Sequence, residues 1–252
     1  MNLRKKNFYF KNITIGSWIT LYNPGIAEIF SQNKFDWIVV DLEHSAISID
    51  QASDLIRIID LCGCRPLVRL TSNSKDLTKR VLDAGAHGII VPMINSKDEA
   101  KKAVSYSHYM PKGVRGVGLA RAQGYGSKFD EYVRWQENEP LIIAQIEHVN
   151  AINNIEEIVS VSGIDGVFIG PYDLSGSIGR SGDFTSTKYK NSIKKVKAVV
   201  KSKNKILGIH VVEPDVFEVN KAIRDGFSFI SFSVDIRILD SNIKNAIQKI
   251  RK

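Results

Sequence analysis

The chain has 252 residues, 43% of them hydrophobic and 25% charged, a balance that suits one soluble globular domain with a large core and excludes a low-complexity chain. Its net charge of +8 invites a nucleic-acid reading, but the lysines spread over helical stretches such as Lys190–Lys205 without interleaved aromatics, which is the pattern of a solvated helix surface, so no nucleic-acid partner is expected. No run reaches the roughly 18 apolar residues of a membrane span, no signal-peptide core follows the basic start, and Cys62 and Cys64 are spaced for neither a disulfide nor a zinc site; reduced thiols in a cytoplasmic protein are expected.

In chain order, apolar β-rich runs fall at Ile13–Thr20, Trp37–Asp41, Pro66–Leu70, Gly88–Pro92, Leu141–Glu147, Gly166–Gly170, Ile206–Val211 and Ser228–Ser233. Most lack strict alternation, as strands buried on both faces of a parallel sheet do. Amphipathic stretches alternate with them: Pro24–Gln32, Ile49–Leu61, Lys75–Ala84, Ser96–Tyr106, Val149–Val159, Thr187–Lys201 and Pro214–Asp225, several followed by a glycine that suits a helix C-terminus (Gly63, Gly85, Gly226). This α/β rhythm predicts a closed (β/α)8 TIM barrel occupying residues 1–252 as one domain. An open doubly wound sheet is the alternative, and the dinucleotide glycine fingerprint it would often carry is missing after the first strand. The rhythm breaks between Pro92 and Leu141, where a helix, a Gly-rich segment Pro111–Gly126 and a second helix near Phe129–Glu137 intervene. A loop of that length is expected to be functional and to lie on the active face.

Barrel enzymes place their chemistry at the C-terminal ends of the strands. The polar residues there are Asp41, Glu43 and His44 after the second strand, Arg69 on the third, Gln145 and Glu147 on the fifth, Asp173 after the sixth and His210 on the seventh, with Asp83 on the helix after the third. Glu147 and Asp173 follow neighbouring strands and could converge on one hard divalent cation; singly, each could merely cap a helix. Oxygen ligands with open positions suit Mg2+ or Mn2+, with Co2+ a common substitute. His148 is expected to point away from the site, being adjacent to Glu147 on a strand. Arg69 can stabilise a carboxylate or an enolate. His44 is a candidate proton carrier at neutral pH, with Asp41, Asp83 and Arg69 as expected neighbours. In Gly170-Pro171-Tyr172-Asp173 a tight turn entering a helix frees the amides of Tyr172 and Asp173 for a substrate carboxylate, while Pro171 has no N–H to give. No lysine sits inside a predicted strand near its C-terminal end, which argues against Schiff-base chemistry.

These stretches, taken in order, resemble the HpcH/HpaI aldolases, metal-dependent class II pyruvate aldolases of the phosphoenolpyruvate/pyruvate barrel superfamily. The resemblance is carried by Asp36–His44, Pro66–Arg69, Lys79–Ala86, Val91–Met93, Arg115–Gly118, Gln145–Glu147 and Asp165–Ser175, and runs from Gly16 to about Asp235. It implies Glu147 and Asp173 as metal ligands, Gln145 and Arg69 on the bound 2-oxo acid, and the Gly170–Asp173 turn on its carboxylate. It also implies His44 as acid/base, with Asp41 and Asp83 in its surroundings. The implied reaction is reversible cleavage of a 4-hydroxy-2-oxo acid, such as a 2-keto-3-deoxy sugar acid, to pyruvate and an aldehyde. The aldehyde pocket would draw on Ala120–Gly126 and on His210, a position that looks apolar in similar enzymes. The family resemblance further implies a homohexamer built as a trimer of dimers, with a C-terminal helix at about residues 241–252 exchanged between subunits and Asp83 acting across a subunit boundary. The alternatives are an acyl-CoA ester lyase of the same superfamily and a non-catalytic carboxylate binder.

Overall fold

In the computed structural model, which describes residues 1–251, the Val- and Ile-rich runs form eight parallel strands that close on themselves in sequence order. A short helix α1 (Asn7–Lys11) precedes β1 (Thr14–Ile19), α2 (Pro24–Gln32), β2 (Trp37–Asp41), α3 (Ile49–Leu61), β3 (Arg65–Arg69), α4 (Lys75–Asp83), β4 (Gly88–Val91) and α5 (Lys97–Ser107). There follow α6 (Phe129–Gln136), β5 (Leu141–Ile146), α7 (Val149–Asn153), α8 (Ile155–Val159), β6 (Gly166–Ile169), α9 (Pro171–Ser177), α10 (Thr187–Ser202), β7 (Ile206–Val211), α11 (Val216–Arg224), β8 (Phe229–Val234) and α12 (Asp235–Ile250). The expected (β/α)8 barrel is therefore the observed one. The amphipathic stretch Val149–Val159 is two short helices rather than one, divided at Asn154, and the C-terminal helix begins at Asp235, six residues before the expected 241.

Two apolar layers hold the barrel. Alternate strand residues point inward, where Trp18, Trp37, Leu67, Ile143, Phe168 and Phe229 fill the interior, as side chains do in a barrel of this size. Trp37 and Phe229 stack at 4.0 Å between ring centroids. Gly16 makes room for them, since a Cβ there would lie 2.1 Å from the Trp37 ring. The outward strand residues, among them Ile38, Val40, Val68, Ile142 and Val167, pack under the helices. The helix starts are set by side-chain caps: Asn23, Ser48 with Gln51 in a capping box, Ser74, Ser96, Ser186 and Asp215, each satisfying amide groups that the first turn leaves free.

Register places the chemistry. In the β2–β3 pair Asp41 lies opposite Arg69, and in the β5–β6 pair Ile146 lies opposite Ile169, so that Glu147 emerges beside Gly170. The long segment after α5 is elsewhere. Because α5 runs back from the C-terminal to the N-terminal end of the strands, residues 108–140 close the N-terminal end and flank of the barrel, not the active face. Arg121 joins the carboxylate of Asp60, in the last turn of α3, at 2.5 Å, and the Ala84 carbonyl just past α4 at 3.3 Å. Trp135 donates to the Arg4 carbonyl. Ala120–Gly126, expected as loop, contains a 3-10 turn over Arg121–Gly126. Among the described residues no helix is long and apolar enough to cross a membrane.

Gly16→Ala should destabilise the chain by about 3 kcal/mol, as overpacking of a filled core does. Urea unfolding followed by tryptophan fluorescence checks this; an unchanged midpoint would mean that the Trp37–Phe229 stack yields easily.

Candidate active site

Four carboxylates and one guanidinium occupy the C-terminal mouth of the barrel. Arg69, at the end of β3, donates through Nε to Asp41 Oδ1 at 2.8 Å and through Nη2 to Asp41 Oδ2 at 2.5 Å, a bidentate fork. Its Nη1 lies 3.2 Å from Glu43 Oε2, and its guanidinium carbon sits 4.6 Å above the ring of Trp18. Burial works against the charge on Arg69, but the hydrogen bonds and charge of Asp41, together with Glu43 and Glu147, hold its pKa above the ordinary arginine value. Asp41 is buried, and it also accepts the amides of Glu43 at 3.0 Å and His44 at 3.4 Å, which shapes the turn that follows β2.

Glu147 is buried just past β5. Its Oε1 accepts the Met93 amide at 2.7 Å, and its Oε2 accepts the side-chain amide of Gln145. Met93 holds that amide in place from a left-handed conformation, φ +53°, a strained backbone for a residue with a Cβ. Burial raises the Glu147 pKa, the Met93 and Gln145 hydrogen bonds oppose the rise, and the charge of Asp173 adds to it. Glu147 and Asp173 thus feel one another across the mouth. Asp173 itself is exposed in the first turn of α9. Gly170, the residue before α9, allows this approach: a Cβ there would lie 2.9 Å from both Cβ and Oε2 of Glu147. Pro171 starts the helix, and the amides of Tyr172 and Asp173 belong to the first turn, where no intrahelical acceptor exists.

The donor set fits a hard divalent cation. Among the described residues there is no group of three or more His, Cys, Asp or Glu arranged to hold a metal. The candidate set is the carboxylate pair Glu147 and Asp173 with an open side, as Mg2+ or Mn2+ sites that keep room for water and substrate commonly have. One buried oxygen beside this pair, Gln145 Oε1, lacks a hydrogen-bond partner, which fits a place where a cation or a substrate supplies the missing contact. The histidines do not join the set. His148 caps α7, its Nδ1 accepting the Asn150 amide at 3.1 Å, in keeping with the expectation that it points away. His210 is turned to the Ser233 carbonyl at 3.1 Å.

His44 and Asp83 stand differently from expectation. His44 is exposed, and its side chain faces Glu43 at 3.9 Å; Asp41 reaches only its backbone amide. Asp83 is the last residue of α4, at the opposite end of the barrel, where it pairs with the buried Arg115 at 2.5 Å. It is not a neighbour of His44 in the same chain, because α4 carries it away from the strand ends. Ala120–Gly126 is likewise absent from this chain's own mouth, so the expected pairing of that segment with His210 is not made within one chain.

The relatives of this arrangement are clear. Residues 14–241 match the family model described as HpcH/HpaI aldolase/citrate lyase. The chain belongs to this family. It is 32% identical over 225 residues to 2-keto-3-deoxy-L-rhamnonate aldolase of Escherichia coli O17:K52:H18, covering 88% of this chain and 83% of that protein. A crystal structure of an HpcH/HpaI aldolase/citrate lyase family protein from Burkholderia cenocepacia J2315 superposes with a TM-score of 0.93 at 27% identity, covering 98% of both chains. The HpcH/HpaI aldolase from Desulfitobacterium hafniense DCB-2 superposes with a TM-score of 0.89 at 28% identity, covering 98% of this chain and 95% of that one.

Three contributors to this HpcH/HpaI mouth were given no role from sequence. Glu43 is placed by sequence with Asp41 and His44 at the end of the second strand, but nothing in the sequence gives its contact with Arg69. Trp18 reads as core, and the support it gives Arg69 depends on the barrel closing β1 near β3. The Met93 amide is backbone and has no residue-type signal.

Glu43 gives a measurable consequence. Burial, with the charges of Glu147, Asp41 and Asp173 and against the pull of Arg69, pushes its pKa from 4.5 up to about 7. A carboxylate whose folded pKa is raised binds more protons folded than unfolded, so stability falls as pH climbs from about 4.5 through 7. In protein stripped of divalent cations, the urea midpoint should fall over that window, and Glu43→Gln should flatten the fall. An identical slope in the variant would show that Glu43 ionises freely in the folded state.

Proposed function

We propose that this chain is a divalent-metal-dependent carbon–carbon lyase that reversibly cleaves a 4-hydroxy-2-oxo acid, of the 2-keto-3-deoxy sugar acid class, to pyruvate and an aldehyde. The observation that carries the proposal is the half-buried Arg69, forked by Asp41 and within electrostatic reach of Glu147, at a mouth whose carboxylates outnumber its cations. Family membership and the E. coli relative, a 2-keto-3-deoxy-L-rhamnonate aldolase, support the same reading.

Each group has a part in the cleavage. The Tyr172 and Asp173 amides receive the substrate carboxylate. Glu147 and Asp173 would hold a divalent cation, Mg2+, Mn2+ or Co2+, which would supply Lewis-acid polarisation of the 2-oxo group. Gln145 braces Glu147 through its amide nitrogen and keeps an oxygen without a protein partner. As the C4 hydroxyl gives up its proton, the C3–C4 bond breaks, the aldehyde leaves, and the electron pair moves into the 2-oxo acid as an enolate. Arg69 places its positive charge beside that enolate, and Asp41 prevents the guanidinium from swinging away. His44, exposed at the mouth and facing Glu43, takes the C4 proton. Protonation at C3 then yields pyruvate.

The active form is proposed to be a homo-oligomer of the hexameric kind. On α12 the side chains of Ile236, Leu239, Ile243, Ile247 and Ile250 are all exposed. Their spacing of three and four residues makes one apolar stripe, which a single chain leaves in water. In such an assembly Asp83 reaches a mouth only if that mouth belongs to a neighbouring subunit. Light scattering should find an oligomer for the native chain and a smaller species for Ile243→Glu with Ile247→Glu; a monomeric native chain contradicts the assembly.

Pyruvate release from a panel of 4-hydroxy-2-oxo acids should vanish with EDTA and return with Mg2+ or Mn2+. Glu147→Ala should abolish it in a folded protein. Arg69→Ala should lower kcat by roughly 100- to 1000-fold, the usual cost of removing a donor to a developing oxyanion. Full turnover in EDTA sinks the metal reading, and near-native turnover of Arg69→Ala makes that residue structural.

A further inference from the structure

His210 is a half-buried imidazole at the barrel mouth that the cleavage steps leave unused. It lies on β7, its ring stacked on Trp18 at 5.3 Å and 14° and tilted against Phe168 at 6.4 Å. Trp18 also carries the Arg69 guanidinium at 4.6 Å. His210 therefore belongs to the aromatic wall that supports the enolate-stabilising arginine, between the Gly170–Asp173 turn on one side and β8 and β1 on the other.

Its hydrogen bonding determines which nitrogen is free. Nε2 lies 3.1 Å from the Ser233 carbonyl oxygen, and a carbonyl can only accept, so Nε2 carries the proton. Ser233 is held for this purpose by an unusual backbone. It has φ +55° and sits near the register shift where β1 and β8 pair. The hydroxyl of Ser231 reaches the same carbonyl at 3.3 Å, the Ser17 hydroxyl donates to the neighbouring Phe232 carbonyl at 2.8 Å, and the Ser233 hydroxyl is tied to the Val212 carbonyl at 2.8 Å. With Nε2 protonated, Nδ1 holds a lone pair. Among the described residues Nδ1 has no protein partner, and it is not one of the sealed, unpartnered atoms, unlike both nitrogens of His87. It opens toward the mouth. Burial pushes the pKa of His210 down to about 4, so the ring stays neutral at physiological pH.

We propose that His210 is a specificity-determining residue whose Nδ1 lone pair accepts a hydrogen bond from a hydroxyl of the substrate, making the wall beside Arg69 selective for hydroxylated over deoxy substrates. This rests on the aldolase reading and adds to it the kind of group the wall selects. Such a hydroxyl can come from either half: from C3 of the 2-oxo acid or from the carbon next to the aldehyde. An aliphatic side chain at the same place would leave either one without a partner.

The test is aldol synthesis by the full-length, Mn2+-loaded protein in two pairs. One compares hydroxypyruvate with pyruvate as donor toward a fixed aldehyde; the other compares glycolaldehyde with acetaldehyde as acceptor toward pyruvate. The expected result is that His210→Leu lowers the hydroxylated-to-deoxy ratio of kcat/KM by about tenfold in one pair, the worth of one hydrogen bond. The pair that responds identifies the half that carries the hydroxyl. His210→Asn, which keeps an acceptor near the Nδ1 position, should recover part of the ratio. Ratios unchanged in both pairs, with the deoxy rates still measurable, overturn the proposal. Nitrogen-15 NMR of the unliganded protein tests it apart from turnover: His210 should be neutral and protonated on Nε2, and a proton found on Nδ1 overturns the proposal even in an active enzyme. Absence of turnover by the native chain with every pair, alongside the expected tautomer, overturns the aldolase reading and the proposed selectivity with it.

Discussion

The mouth of this barrel gathers negative charge around a single half-buried positive one, Arg69. Asp41, Glu43, Glu147 and Asp173 act on one another and on Arg69; burial first, and the charge of neighbouring carboxylates second, raises the pKa values of Glu43 and Glu147. Gathering carboxylates at a partly desolvated mouth is costly. One guanidinium, spent on a bidentate pair with Asp41, cannot neutralise four carboxylates. A divalent cation between Glu147 and Asp173 would, and it would turn the same excess of charge into a place for a 2-oxo acid.

The scaffold holds these groups with backbone as much as with side chains. The amide of Met93 and the carbonyl of Ser233 both come from non-glycine residues with positive φ; one fixes Glu147 and the other His210. Gly170 permits a contact with Glu147 that any Cβ would block. Asp235, buried at the start of α12, accepts the amides of Thr20 and Leu21 and the Thr20 hydroxyl, which pins the turn after β1. Strain of this kind persists where packing on all sides overdetermines it, and the mouth of a closed barrel, backed by Trp18 and Phe168, is such a place.

Much of this was legible in the residues. The eight strands could be read because parallel strands buried on both faces are continuous apolar runs, and Asp41, Arg69, Gln145, Glu147 and Asp173 could be grouped because each stands at the end of such a run. The departures within one chain have a common source: distance along the chain says nothing about which end of the barrel a segment reaches. Asp83 closes a helix that has returned to the N-terminal end, and residues 108–140 follow another such helix. The Gly-rich Pro111–Gly126 segment therefore lies away from its own chain's mouth, despite having the composition of an active-site loop. His44 was paired with Asp41 on proximity in sequence, but Arg69 takes both oxygens of Asp41 and leaves Glu43 facing the imidazole. The left-handed backbones at Met93 and Ser233 carry no glycine to announce them.

The central claim is that the carboxylate excess at the mouth is a binding site for one divalent cation. Mn2+ titration of the EDTA-stripped protein, followed by electron paramagnetic resonance, tests it most directly because the free ion is counted without any turnover. One Mn2+ bound per chain, with binding lost in Glu147→Gln and retained in His148→Gln, is the predicted result. A native chain that leaves Mn2+ free, or a Glu147→Gln variant that binds it as tightly as the native chain, would contradict the claim.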